Sequence, residues 1–118
     1  DFEAYKRVMP HSEYVSGSAC IFEAIKDYVL GYMGSLGLDP TFPIAFDILA
    51  GSSNVEPGVV PATNLTLFYP DIETMATVGS DSRLDGGMHF EESVPAAQEL
   101  CSGIGTVANN FALRLLGE

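Results

Sequence analysis

At 118 residues, with 47% hydrophobic and 18% charged side chains, the chain is long enough for one compact domain, too short for two, and too apolar to be intrinsically disordered. Five Lys and Arg against 16 Asp and Glu give a formal net charge of -11; Lys6, Arg7, Lys26, Arg83 and Arg114 are too few to displace counterions from a polyanion, which excludes nucleic acid and anionic membrane as partners. No apolar run reaches the ~20 residues of a membrane-spanning helix, and no basic segment followed by an apolar one opens the chain.

A chain that begins on Asp1 rather than Met reads as a processed or truncated product of a longer precursor. Residues 1 to 15 carry few periodic cues. Ser16 and Ser18 supply hydroxyls for orphan amides at a helix start. From Ala19 onward Ile21, Phe22, Ile25, Tyr28, Val29, Tyr32 and Met33 recur at helical spacing, with Glu23, Lys26 and Asp27 largely on the other side. This predicts a first helix that ends where Gly34-Ser35-Leu36-Gly37 gives way to Asp39-Pro40. The stretch from Thr41 to Ala62 is rich in Pro, Gly and Ser, and within it Ile44 to Leu49 fits a strand or one helical turn equally well. Asn64 to Tyr69 alternates loosely and is expected to be extended. Pro70-Asp71 offers the start of a short second helix with Ile72, Met75, Ala76 and Val78 on one face.

Gly79, Gly86 and Gly87 bracket Asp81-Ser82-Arg83, so the backbone there is expected to turn sharply or to approach a ligand closely. Ser93 is then a suitable N-cap, Pro95 fits a first turn, and Ala97, Leu100, Cys101, Ile104, Val107, Ala108, Phe111 and Leu115 trace the apolar stripe of one last helix. Gly103 and Gly105 cost a helix interior ~1 kcal/mol each relative to Ala, so close packing against another helix must compensate.

Cys20 and Cys101 fit either a disulfide or a pair of buried thiols. Asn64-Leu65-Thr66 is an N-glycosylation acceptor in a polar-flanked, surface segment. An acidic chain with these features is expected to be secreted or otherwise extracellular.

Two segments carry potential chemistry. Tyr14-Val15-Ser16-Gly17-Ser18-Ala19 places hydroxyls and a glycine at a helix N-terminus, where free amides and the helix dipole favour an anion; taken alone it is also an ordinary serine cap. Ser82-Arg83-Leu84-Asp85-Gly86-Gly87-Met88-His89 puts a guanidinium and an imidazole near glycines. Arg83 could fork onto an oxyanion and His89 could serve as acid, base, nucleophile or ligand; an Arg paired with one of the many carboxylates and a half-buried His is the plainer alternative.

Together the segments resemble something specific. Residues Pro10 to Cys20 are similar to the stretch holding the Pro-Ser-Gly-His motif of vanadium-dependent haloperoxidases and the related type 2 phosphatidic acid phosphatases. Ser82-Arg83-x-x-x-Gly87-x-His89 matches their Ser-Arg-x-x-x-Gly-x-His motif at every defined position. The resemblance covers about Pro10 to Leu116 and implies a mainly α-helical partial bundle, the C-terminal half of the haloperoxidase architecture, with a short irregular or extended insertion. It implies that Ser16, Gly17, Arg83 and Gly87 form an anion site, and that His89 binds vanadium in vanadate, or attacks phosphorus in the phosphatase relatives. It also implies that Ser16, Gly17, Arg83 and His89 converge, and that Cys20 and Cys101 are neighbours joined by a disulfide.

Arg83, His89 and Ser18 are the catalytic candidates, yet Ser18 stands where the motif has its acid-base His, and a hydroxyl does not titrate near neutral pH. Val15 replaces the motif's Pro, and Ser93 stands where an acidic residue usually follows the last His. The family's first motif, a Lys and an Arg on an earlier helix, would precede Asp1; Lys6 and Arg7 are too close to the second motif to be those residues. The expected function is therefore a degenerate, non-catalytic haloperoxidase-like module, structural or self-assembling, that associates with its own copies or with the remainder of its precursor. The alternative is part of a vanadate-dependent haloperoxidase or acid phosphatase whose missing site residues come from another chain or from a removed N-terminal region.

Overall fold

The computed structural model describes residues 3–5 and 11–117, so Lys6, Arg7 and Pro10 lie outside the described residues. Helix α1, Gly17–Ser35, runs through the middle of the bundle and is the element against which the other three helices pack. It starts at Ser16, whose side-chain oxygen accepts a hydrogen bond from the amide of Ala19 at 3.3 Å, satisfying one of the amides that a helix start leaves without an internal partner.

The insertion is a two-stranded antiparallel ribbon. Strand β1, Ile44–Ile48, pairs with β2, Leu65–Tyr69, with Ile44 opposite Tyr69 and Ile48 opposite Leu65. The Ile44 to Leu49 stretch is thus extended rather than a helical turn. The long connection between the strands folds back on itself through Gly51 N to Pro61 O and Gly58 N to Gly51 O, each 2.8 Å. Gly51 has φ 69°, and a Cβ there would lie 2.9 Å from the Gly58 Cα, so both backbone conformation and space demand glycine.

Helix α2, Ile72–Asp85, is longer than the expected short helix. It runs through Gly79 and Asp81-Ser82-Arg83, where the glycine pattern had suggested a turn; the reversal comes only at Gly86 and Gly87, the latter with φ 69°. Gly79 serves packing instead, since a Cβ at that position would sit 2.6 Å from Cε1 of Phe22 on α1. Asp71 caps α2 by accepting from the amide of Thr74 at 2.7 Å, and this bond holds its carboxyl below the usual aspartate range. A depressed folded-state pKa contributes stability that is complete above the ordinary aspartate value and is lost as pH falls through the folded value. Asp71→Ala is therefore expected to lower the melting temperature by a few degrees near neutral pH, with the gap closing in acid; thermal melts across pH check both parts.

The expected single last helix is two helices, α3 over Ser93–Cys101 and α4 over Ile104–Leu116. The break falls at Ser102-Gly103, where Gly103 has φ 84° and donates its amide to Asp27 Oδ2 of α1 at 2.5 Å. Ser93 is the first residue of α3 rather than its cap, a position held by Glu92 without a side-chain bond.

The apolar stripe divides: Ala97 and Cys101 are buried, while its larger side chains face outward. Leu100, Ile104, Val107, Phe111 and Leu115 are 51–72% exposed, while Gly105 and Asn109 are the buried residues of α4. Small residues let two backbones approach closely: a Cβ on Gly105 would strike the carbonyl oxygen of Ala24 and the amide of Tyr28 on α1. Contact through backbone leaves no room for large side chains in the contact itself, and they lie beside it or on the opposite face.

The buried centre is correspondingly small. Ala19, Val94 and Ala97 form it, flanked by Val15, Cys20 and Leu84, and a disulfide joins Cys20 of α1 to Cys101 of α3 with Cα atoms 5.3 Å apart. The accessible surface is 8011 Å², against about 6,200 Å² for a monomer of this mass, and the radius of gyration is 16.8 Å, against about 13.5 Å for this length. Large apolar side chains contribute to the excess: Ile21, Ile25, Tyr28 and Ile104 border an open hollow of about 310 Å³ between α1 and α4. Among the described residues no helix is long and apolar enough to cross a membrane.

Candidate oxyanion site

Packing of Leu84 and Val15 against Ala19, Val94 and Ala97 brings the last turn of α2, the N-terminus of α1 and the start of α3 to one end of the bundle. Backbone bonds fix this arrangement: the Ser16 amide donates to Ser93 O at 3.0 Å, and the Met88 amide donates to Arg83 O at 3.0 Å. Ser16 is fully buried. Gly17 is exposed and Ser18 half-buried in the first turn of α1, and the amides at these two positions have no acceptor within their own helix. A helix N-terminus with free amides carries partial positive charge toward whatever lies beyond it.

His89 is buried on the turn that follows α2, after Gly87, whose amide bonds Leu84 O at 2.9 Å. Its Nδ1 lies 2.6 Å from the carbonyl oxygen of Glu13. A carbonyl only accepts, so Nδ1 carries the proton and the neutral ring keeps its lone pair on Nε2. The exposed ring of His11 leans against His89, with centroids 4.9 Å apart.

Arg83 occupies the last turn of α2 with Nε buried and without a hydrogen-bond partner among the described residues. It forms no ion pair among them either; the ion pairs among the described residues are those of Lys26 with Glu23 and Asp27. With 16 acidic residues in the chain, a guanidinium left out of every described pair departs from the plainer reading of an Arg neutralised by a carboxylate. A buried donor without an acceptor is costly, which favours an anion that accepts from it.

Glu13 is the residue that reading the sequence missed. Its carboxylate accepts from the Phe90 amide at 2.9 Å and from the Ser93 hydroxyl, and these bonds hold its pKa below the usual glutamate range. Nothing in a Pro-His-Ser-Glu-Tyr string distinguishes this side chain, because its partners lie 77 and 80 residues away. Asn64 is exposed just before β2, its side-chain oxygen accepting from the Ala50 amide at 2.8 Å. Among the described residues no group of three or more His, Cys, Asp or Glu could hold a metal cation.

The comparisons name the family of this helical bundle. The chain belongs to the family of the VCPO second helical-bundle domain, whose model matches residues 1–118. Among solved structures it is similar to an apo-type bacterial vanadium-dependent chloroperoxidase, with 26% identity over 96% of this chain and a TM-score of 0.82. The holo-type bacterial enzyme gives 26% identity over 97% of this chain and a TM-score of 0.84. The chain spans 24% and 23% of the lengths of those two proteins. No curated protein matches it in sequence.

Proposed function

We propose that this domain supplies part of a vanadate-type oxyanion site, and that it has no peroxidase activity by itself. The observation that carries the reading is the buried, unpartnered Nε of Arg83 among the described residues. The residues fit the group: Arg83 would neutralise it, the Ser16 hydroxyl and Gly17 amide would bond its oxygens, and the Nε2 lone pair of His89 would face it. Bound vanadate supplies a Lewis-acid centre at which peroxide oxidises a halide. The absence of activity follows from Ser18, whose hydroxyl does not titrate near neutral pH and so cannot serve as an acid-base group.

One Arg compensates a multiply charged anion poorly in a chain of net charge -11. The remaining cations come from another copy or from further sequence of a longer protein, which would also cover the apolar hollow beside α1 and α4. The disulfide and the exposed Asn64 acceptor fit an oxidising compartment outside the cytosol, and a glycan at Asn64 follows if the source is eukaryotic. The exposed apolar surface equally favours a second reading, a purely structural or self-assembling module.

Titration of the chain with inorganic vanadate, or with phosphate in its place, separates the two. Saturable binding is expected, weakened about 10–100-fold in Arg83→Ala by loss of a charge-assisted bond, with no bromide oxidation from peroxide. Absence of saturable binding, or equal binding by Arg83→Ala, would leave only the structural module; robust turnover would refute the claim of inactivity.

A further inference from the structure

We infer that Glu13 is the positioning residue for His89, acting through the backbone that its own carboxylate ties down. The imidazole is oriented by a single bond from Nδ1 to the Glu13 carbonyl, 2.6 Å. That carbonyl belongs to a segment ahead of α1 with no regular structure of its own, so something must fix it. The carboxylate of the same residue does so. It accepts from the Phe90 amide at 2.9 Å, directly after His89 in the chain, and from the hydroxyl of Ser93, which also lies 3.0 Å from the Glu13 carbonyl oxygen.

One residue thus holds both the ring and the residues that follow it, Phe90 and Ser93. The distances say which of its groups does what: the carboxylate oxygen is 3.8 Å from Nδ1 while the carbonyl oxygen is 2.6 Å away, so the carboxylate does not orient the ring directly. Its contribution is to dock residues 13 and 90–93 together, with Ser16 N to Ser93 O at 3.0 Å closing the far side. α3 has no side-chain cap from Glu92, and the Glu13 carboxylate is the acidic group that meets its first turn from outside. The consequence for function is that His89 is held in one tautomer with Nε2 as the open nitrogen. Such outer partners typically govern affinity at a site by about 10–100-fold.

The experiment uses the whole chain, which has two histidines, with nitrogen-15 in their rings. At alkaline pH, where imidazole is neutral, the parent protein is expected to show His89 protonated at Nδ1. Glu13→Ala is expected to give a mixture of tautomers with the helix content retained, and Glu13→Gln, whose amide oxygen still accepts from Phe90 and Ser93, to restore the single tautomer. Affinity for inorganic vanadate is expected to fall about 10–100-fold in Glu13→Ala and to recover in Glu13→Gln. The affinity readout rests on the oxyanion reading above, whereas the tautomer readout does not, so a protein that binds no vanadate still tests the role of Glu13. A His89 tautomer unchanged in Glu13→Ala, or no rescue by Glu13→Gln, overturns the inference. Should Glu13→Ala fail to fold, Ser93→Ala, which removes a donor to the Glu13 carboxylate, takes its place: a mixture of tautomers is expected, and the parent's single tautomer overturns the inference.

Discussion

Reduction of the Cys20–Cys101 bond is expected to unfold the chain or to lower its melting temperature by on the order of 15 °C. The two cysteines are 81 residues apart in sequence, and closing a loop of that length restricts the unfolded chain by about 4.5 kcal/mol in the chain-entropy model. Typical domains are stable by only about 5–15 kcal/mol, and this one lacks the large buried side chains that would give reserve. Its buried hydrophobics among the described residues are Ala19, Ile72, Ala76, Val94, Ala97 and Cys101. The cross-link also sits beside the Ala19, Val94 and Ala97 cluster, where it holds α1 to α3. Melts of the oxidised chain, the reduced chain and a Cys20→Ser/Cys101→Ser variant measure the effect. A reduced protein that melts within a few degrees of the oxidised one would show that burial alone sustains the fold.

Helix α1 was legible in the sequence because its signals agree: a serine that caps, an apolar stripe at helical spacing, and glycines at the end. The motif resemblance also brought Ser16, Arg83 and His89 to attention before any fold was in hand. What was not legible depends on partners distant in sequence. Gly79 looks like a helix breaker until the Phe22 ring is placed across it. The split between α3 and α4 was hidden by an apolar stripe that continues through Ser102 and Gly103, and only Asp27 on α1 offers the amide of Gly103 its acceptor. The stripe's neighbours were hidden as well. Periodicity identifies a face but not its neighbour, and two faces of α4 compete: a large apolar one, and a small one of Gly105 and Asn109. The small face packs on α1 within this chain and the large face is left exposed. Glu13 was illegible for the same reason as Gly79, since its importance lies wholly in groups from residues 89–93.

Gly105→Ala is expected to destabilise the chain, although the same exchange in an ordinary helix stabilises by about 0.5–1 kcal/mol. The sign depends on what the added methyl meets. At Gly34, on an exposed part of α1, a Cβ has nothing within 4 Å, so Gly34→Ala should gain the ordinary increment and serves as the control. At Gly105 the methyl would collide with the Ala24 carbonyl and the Tyr28 amide and would lie 2.7 Å from the Asp27 Cβ. Two of these three obstacles are backbone in the middle of a helix, which cannot rotate aside as a side chain can. Helix α4 must therefore lift from α1, an overpacking cost of about 1–3 kcal/mol. Lifting also stretches the 2.5 Å bond from the Gly103 amide to Asp27, and a bond to a charged group contributes about 1.5–3 kcal/mol. Either cost exceeds the gain in helix propensity, and together they exceed it several-fold. Urea denaturation of the two variants against the parent gives the comparison, with Gly34→Ala expected above the parent midpoint and Gly105→Ala well below it. A Gly105→Ala midpoint at or above the parent would mean that α1 and α4 do not meet backbone to backbone, and the outward turn of Ile104, Val107 and Phe111 would lose its explanation.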